Sequence, residues 1–151
     1  MKTRNSDNIE LLRSIAVLAG SSDKDLARLG ALVTEVELRP GQVLTREGAR
    51  DRQALLVVDG HGTVSIGGRT IAEVGPGEFI GEMTMLIGGT RTATVRATTP
   101  MRVLVIGPQE FAAFVELRGV ARSLAEQLAR RLRTADEELH DALLGSESQA
   151  G

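Results

Sequence analysis

Two hydrophobic periods divide this chain. In residues 7–18, apolar side chains at Ile9, Leu12, Ile15, Ala16 and Leu18 recur near helical spacing, with Ser6 or Asp7 as N-cap and Gly20 as the stop. Ser21-Ser22-Asp23 restarts a helix whose apolar face is Leu26, Leu29, Leu32 and Val33. At Thr34 the period falls to two: Val36 and Leu38 alternate with Glu35, Glu37 and Arg39 before the Pro40-Gly41 turn, and Val43-Leu44 resumes the strand. Short apolar runs follow at Ala54–Val58, Thr63–Ile66, Thr70–Val74, Thr92–Ala97 and Met101–Ile106, separated by turn residues. Strands this short and this regularly spaced predict a small antiparallel sandwich or barrel.

The helical period returns at Pro108, a favourable first helical residue, with Phe111, Phe114 and Val115 on one side and Gly119 as the expected break or bend. A last helix is expected from Val120 to Leu144, about 37 Å long at 1.5 Å per residue. It carries Val120, Leu124, Leu128, Leu132, Ala135, Leu139 and Leu143 on one stripe. That stripe is longer than a small barrel needs for cover, which leaves room for a homodimer seam beside a core role. The tail 145–151, GSESQAG, is small and polar and is expected to be disordered. The chain thus divides into N-terminal helices (1–33), a β core (34–107), hinge and lid helices (108–144) and the tail.

Composition narrows the picture. With 151 residues and 42% hydrophobic content, the chain suits one domain with one core. Its 18 basic and 20 acidic residues give a formal charge of -2, so no overall basic footprint draws it to nucleic acid or an anionic membrane. The absence of cysteine excludes disulfides, thiolate zinc sites and cysteine nucleophiles. His61 and His140 have no partner ligands at useful spacing, so no metal site is expected and a metal-dependent cupin-type enzyme is disfavoured. The charged N-terminus lacks a signal-peptide core, and no apolar run approaches the ~20 residues of a membrane span, so a cytoplasmic protein is expected.

The chemistry concentrates in Gly77–Ala97, GEFIGEMTMLIGGTRTATVRA. A glutamate and an arginine nine residues apart are ordinarily a surface ion pair worth ~0–1 kcal/mol. The surroundings of Glu82 and Arg91 argue for more. Gly81 lets the main chain approach a ligand, and Glu82–Leu86 lacks strand alternation and can form one helical turn whose leading N–H groups, from Met83 and Thr84, face outward as an anion site. Beyond the flexible Gly88-Gly89-Thr90, Arg91 can close on the same anion with its planar fork of donors, while Glu82 accepts from a hydroxyl. A sugar phosphate satisfies both.

The pattern G-E-x-x-x, a short loop and R-[ST]-A-T-V resembles the phosphate-binding cassette of the cyclic nucleotide-binding domain of catabolite activator-type regulators, cyclic-nucleotide-dependent kinases and nucleotide-gated channels. The resemblance runs from Leu11 to about Leu139, through PGQVLTREG, LLVVDGHGTV and SLAEQLARRLR. It implies an antiparallel β-roll, a jelly-roll-like double-stranded β-helix, with two N-terminal helices and a long C-terminal helix. It further implies that Glu82 accepts from the ribose 2′-hydroxyl and that Arg91 pairs with the cyclic phosphate. Met83, Thr84 and Ala93 would contribute backbone N–H groups, with Gly81 at the close approach and Thr92 offering a hydroxyl. Val64, Ile71, Ala72 and Ile80 fall where the family lines base and ribose, and Arg131 matches a C-helix arginine that approaches the ribose.

One departure bears on the base. Where the catabolite activator carries hydroxyls against the adenine amino group, this chain has Ala135 and Asp136. Thr92 resembles the threonine associated with cGMP preference, yet similar residues occur in cAMP-binding relatives, so cAMP is favoured and cGMP stays open. The expected function is a non-catalytic cyclic-nucleotide sensor whose C-terminal helices move to control an unidentified effector protein. The alternative is a protein-interaction module that keeps the fold without physiological nucleotide binding. Direct DNA binding is not expected, since the chain ends seven residues past Leu144 without a helix-turn-helix.

Overall fold

The computed structural model describes residues 11–13, 15, 18, 20–81 and 88–150. Among them the chain runs through α1 (Asp23–Gly30), β1 (Thr34–Leu38), β2 (Val43–Thr45), β3 (Ala54–Asp59) and β4 (Gly62–Ile66). It continues as β5 (Arg69–Val74), β6 (Phe79–Ile80), β7 (Thr94–Ala97), β8 (Met101–Ile106), α2 (Pro108–Val115) and α3 (Arg118–Ala150). The strands form two four-stranded antiparallel sheets, ordered β1-β8-β3-β6 and β2-β7-β4-β5.

Strand composition follows burial. The continuous apolar runs of β3 and β8, ALLVVD and MRVLVI, lie at the centre of the first sheet and are covered on both faces, so neither needs alternation. On one face Leu56, Leu104 and Ile106 join Phe79, Phe111, Phe114, Val120 and Leu124 in a core shared with the helices. On the other, Leu55, Val57 and Val103 meet Val74, Val95 and Ala97 of the second sheet. The second sheet is covered on one face only: β5 is exposed along its length except at Val74.

Ser22 caps α1, its hydroxyl accepting from the Asp25 N–H at 3.1 Å, as the Ser-Ser-Asp entry predicts. The expected first helix over residues 7–18 falls mostly outside the described residues, as does its proposed cap; Leu12, Ile15 and Leu18 are buried in the helix-side core. The break after α2 comes at Glu116–Leu117, and Gly119 lies inside α3.

α3 continues through Ala150, beyond the predicted stop at Leu144. Extending a formed helix adds a hydrogen bond per residue without a new nucleus, and Glu147, Gln149 and Ala150 are good helix formers, so small polar composition alone does not end it.

The long helix is tied to the first sheet at an unprotected edge. Among the described residues β6 pairs only with β3, which leaves its outer side to be satisfied. Gln127, only 3% exposed, fills that role: its Oε1 accepts from the Phe79 N–H and its Nε2 donates to the Phe79 carbonyl, each at 2.8 Å. The amide acts as a one-residue substitute for a neighbouring strand. The Phe79 ring packs edge-to-face on Phe111 at 6.0 Å, so α2 and α3 grip the same residue. Gln127→Leu should therefore cost about 1–3 kcal/mol by orphaning the Phe79 N–H, while the Phe79 carbonyl keeps a donor in Arg131. Chemical denaturation reads this directly, and an unchanged unfolding midpoint would remove the clamp from the account of helix docking.

Candidate functional site

The two sheets and α3 enclose a cavity of about 390 Å³. Its floor is one transverse row of the second sheet: Thr45 pairs with Val95, Val95 with Val64 and Val64 with Ala72, and all four line the cavity. Ile66 and Ile71 form an outer apolar rim, 45% and 38% exposed, and Ile80 and Gly81 close the side nearest the first sheet.

Arg91 is the buried cation in the wall. It is 4% exposed, and its position follows from the main chain on either side: Arg91 N–H donates to the Ala49 carbonyl and its own carbonyl accepts from Gly48 N–H, both at 2.8 Å. These bonds anchor the segment entering β7 to the loop after β2. The guanidinium donates through Nη1 to the Gly81 carbonyl at 3.0 Å and through Nη2 to the Gln53 carbonyl, with Asp51 Oδ2 3.5 Å from Nη2. Asp51 is 44% exposed on its side chain, so this contact is weakened by solvent. A buried arginine with planar donors along a cavity of this size fits an anionic ligand.

Gly81 makes that arrangement possible. Its φ of +79° is a conformation that side chains disfavour, and a Cβ there would lie 1.8 Å from Arg91 Nη1 and 2.6 Å from Cζ. The glycine is thus demanded twice, by backbone conformation and by the passage of the arginine.

The helix supplies the opposite wall with a polar stripe. Gln127, Arg131, Thr134 and Glu138 recur at intervals of four, three and four residues and all line the cavity, together with Arg130 and Ala135. Arg131 Nη2 donates to the Phe79 carbonyl at 3.2 Å, so that carbonyl receives two side chains of α3. The later leucines of the apolar stripe lie outside this lining. Val120 and Leu124 are buried, whereas Leu132, Leu139 and Leu143 are 64%, 60% and 58% exposed.

Of the sequence-predicted site residues, Val64, Ile71, Ala72, Ile80, Gly81, Arg91, Thr92, Ala93 and Arg131 all line this one cavity. Glu82, Met83 and Thr84 lie outside the described residues, as does the helical turn expected over Glu82–Leu86. Ala135, noted for its departure from the adenine-reading pattern, lines the cavity; Asp136 does not. Sequence reading missed Thr45, Ile66, Glu73, Glu78, Val95, Gln127, Arg130, Thr134 and Glu138. The α3 residues had a legible signal: a polar stripe at helical spacing beside the leucine stripe. Among the described residues no group of three or more histidines and acids is placed to hold a metal ion, and no helix is long and apolar enough to cross a membrane.

Comparison with known proteins gives the same picture. A family model described as the cyclic nucleotide-binding domain matches residues 35–118, more than half of the chain. The chain is 34% identical over 116 residues to Pycsar effector protein PaPycTIR of Pseudomonas aeruginosa, covering 72% of this chain and 38% of that protein. It is 44% identical over 72 residues to the Cyclic AMP receptor protein of Thermus thermophilus, covering 47% of this chain and 33% of that protein. A solved cAMP-binding acyltransferase from Mycobacterium smegmatis, in a mutant form, superposes with a TM-score of 0.77 at 27% identity, over 85% of this chain and 42% of the other. The chain therefore spans only about a third of the length of either curated relative.

Gly81→Ala should be severely destabilising, since it forces both a strained φ, at about 1–3 kcal/mol, and eviction of the Arg91 guanidinium. Urea denaturation of the variant checks this; a loss below about half a kcal/mol would mean that Arg91 moves aside freely.

Proposed function

The chain belongs to the cyclic nucleotide-binding domain family, and on that premise we propose that it is a sensor domain that holds a cyclic nucleotide in the cavity beneath α3. The observation that carries this is the buried Arg91 in the cavity wall, framed by Gly81 and by Thr92 and Ala93. The cyclic phosphate lies against Arg91, with the N–H of Ala93 and the hydroxyl of Thr92 beside it. Glu82 takes the ribose 2′-hydroxyl, and the N–H groups of Met83 and Thr84 complete the anion site. Val64, Ile71, Ala72 and Ile80 cover ribose and base with apolar surface, and Arg131 approaches the ribose from α3. The ligand is cAMP in preference to cGMP, a choice supported by two of the related proteins, which are named for cAMP.

Binding acts on the helices. Because Gln127 and Arg131 both hold Phe79, close in sequence to Gly81, a ligand that adds contacts to α3 favours the docked helix over an undocked one. It does so only to the extent that it binds the docked form more tightly. The exposed leucines at 132, 139 and 143 offer the surface through which the signal leaves, by contact with an effector protein or a second copy of the chain. In this reading the domain regulates and does not catalyse, and no metal is needed. An interaction module that has lost nucleotide binding is the second reading, favoured by the same uncovered leucines.

Isothermal titration separates the two. Wild type should bind cAMP, and Arg91→Ala should lose about tenfold to several hundredfold in affinity, as expected for removing a charge-assisted, forked contact. Heat-silent titrations of wild type with both cAMP and cGMP, backed by an unchanged melting temperature at saturating nucleotide, would leave the interaction module standing.

A further inference from the structure

Thr45 is the last residue of β2, and its place in the sheet puts a hydroxyl where strand composition calls for an aliphatic group. Its neighbours along the transverse row, Val95, Val64 and Ala72, are all apolar. Thr45 is 8% exposed, lines the cavity, and its Oγ1 has no hydrogen-bond partner among the described residues. A buried hydroxyl without a partner destabilises the protein that carries it, so it calls for a reason. The nearby Thr94 shows the contrast: its hydroxyl accepts from the Glu47 N–H at 3.0 Å.

The sheet order indicates which part of a ligand Thr45 meets. Strand spacing is about 4.8 Å, so Thr45 lies one spacing from Val95 and three, roughly 14 Å along the sheet, from Ala72 on β5. The apolar rim of Ile66 and Ile71 belongs to the β4–β5 side. Arg91, Thr92 and Ala93 immediately precede β7, the strand that pairs with β2, and therefore stand on Thr45's side of the cavity. Thr45 belongs to the anion end.

We propose that Thr45 is a ligand-binding residue whose Oγ1 donates to an oxygen of the bound cyclic phosphate, adding a floor contact to the grip of Arg91 from the wall. The proposal rests on the cyclic-nucleotide reading above and adds to it a residue that the cassette pattern does not contain. Bound ligand gives the hydroxyl the acceptor it lacks, and the negative charge of the phosphate strengthens that bond. Without ligand the hydroxyl is a liability, so removing it should weaken binding without weakening the fold.

The test pairs Thr45→Val, which keeps the branched shape and loses the hydroxyl, with Thr45→Ser, which keeps the hydroxyl and loses a methyl group. Cyclic AMP and cGMP are titrated calorimetrically into wild type, both variants and Arg91→Ala, and each protein is also melted without nucleotide. The expected result is a loss of about five- to tenfold in affinity for Thr45→Val. Thr45→Ser should stay within about threefold of wild type, and the ligand-free Thr45→Val protein should melt no lower than wild type. Wild-type affinity in Thr45→Val, alongside loss in Arg91→Ala, would overturn this proposal and leave the cyclic-nucleotide function intact. Weak binding in Thr45→Val together with a lowered ligand-free melting temperature would overturn it too, by showing a packing role. Absence of binding by wild type to either nucleotide would remove the function itself, and this proposal with it.

Discussion

The site depends on the main chain of a two-residue strand. β6 pairs inward with β3 through Phe79 and Ile80, and its outer side is satisfied by side chains instead of another strand. Phe79 exchanges two hydrogen bonds with Gln127 and accepts a third from Arg131, while two residues on, the Gly81 carbonyl accepts from Arg91. Helix and cavity arginine are thus fastened to the same short piece of backbone. Any displacement of β6 is felt by both, because each of them has a bond that ends within three consecutive residues.

The sheets divide the remaining work. The sheet containing β3 and β8 is covered on both faces, by helices on one side and its partner sheet on the other, which makes it the fixed back of the domain. The sheet containing β4 and β5 has a single covered face, and it is this inner face that opens into the cavity. Close packing resists deformation, so the doubly covered sheet holds β6 in place while the other leaves room for a ligand.

The fold was legible because its signals are local. Strand runs bounded by Gly and Pro turns, and a leucine stripe at helical spacing, need no knowledge of the partners they pack against, and the cassette's glycines and arginine sit in one stretch of sequence. What escaped is what depends on distant contact. Gln127 looks like any polar residue of an exposed helix until β6 is found against it, 48 positions away. Thr45 reads as an ordinary strand threonine, since threonine favours strands, and its burial without a partner appears only once the cavity is closed over it. The helix extends past its expected end for a related reason: composition describes each residue alone, whereas helix extension depends on the helix already formed before it.

The same clamp splits α3 into two unequal parts. Up to Leu128 the helix buries Val120, Leu124 and Gln127 against the barrel; from Ala129 to Gly145 every residue is exposed. The first part is held by apolar burial and by two main-chain hydrogen bonds, the second by Arg131 alone among the described contacts with β6. Local opening follows such differences in burial, so the outer part has far less to lose on moving than the inner part. Thr134, Ala135 and Glu138, the residues of α3 that line the far end of the cavity, all belong to this outer part. In the proposed sensor, contacts from the ligand to those residues would therefore add to a weakly held element, where a small differential affinity shifts the population most. The inner part would keep its position throughout, because the bonds that fix it are to β6 and not to the ligand.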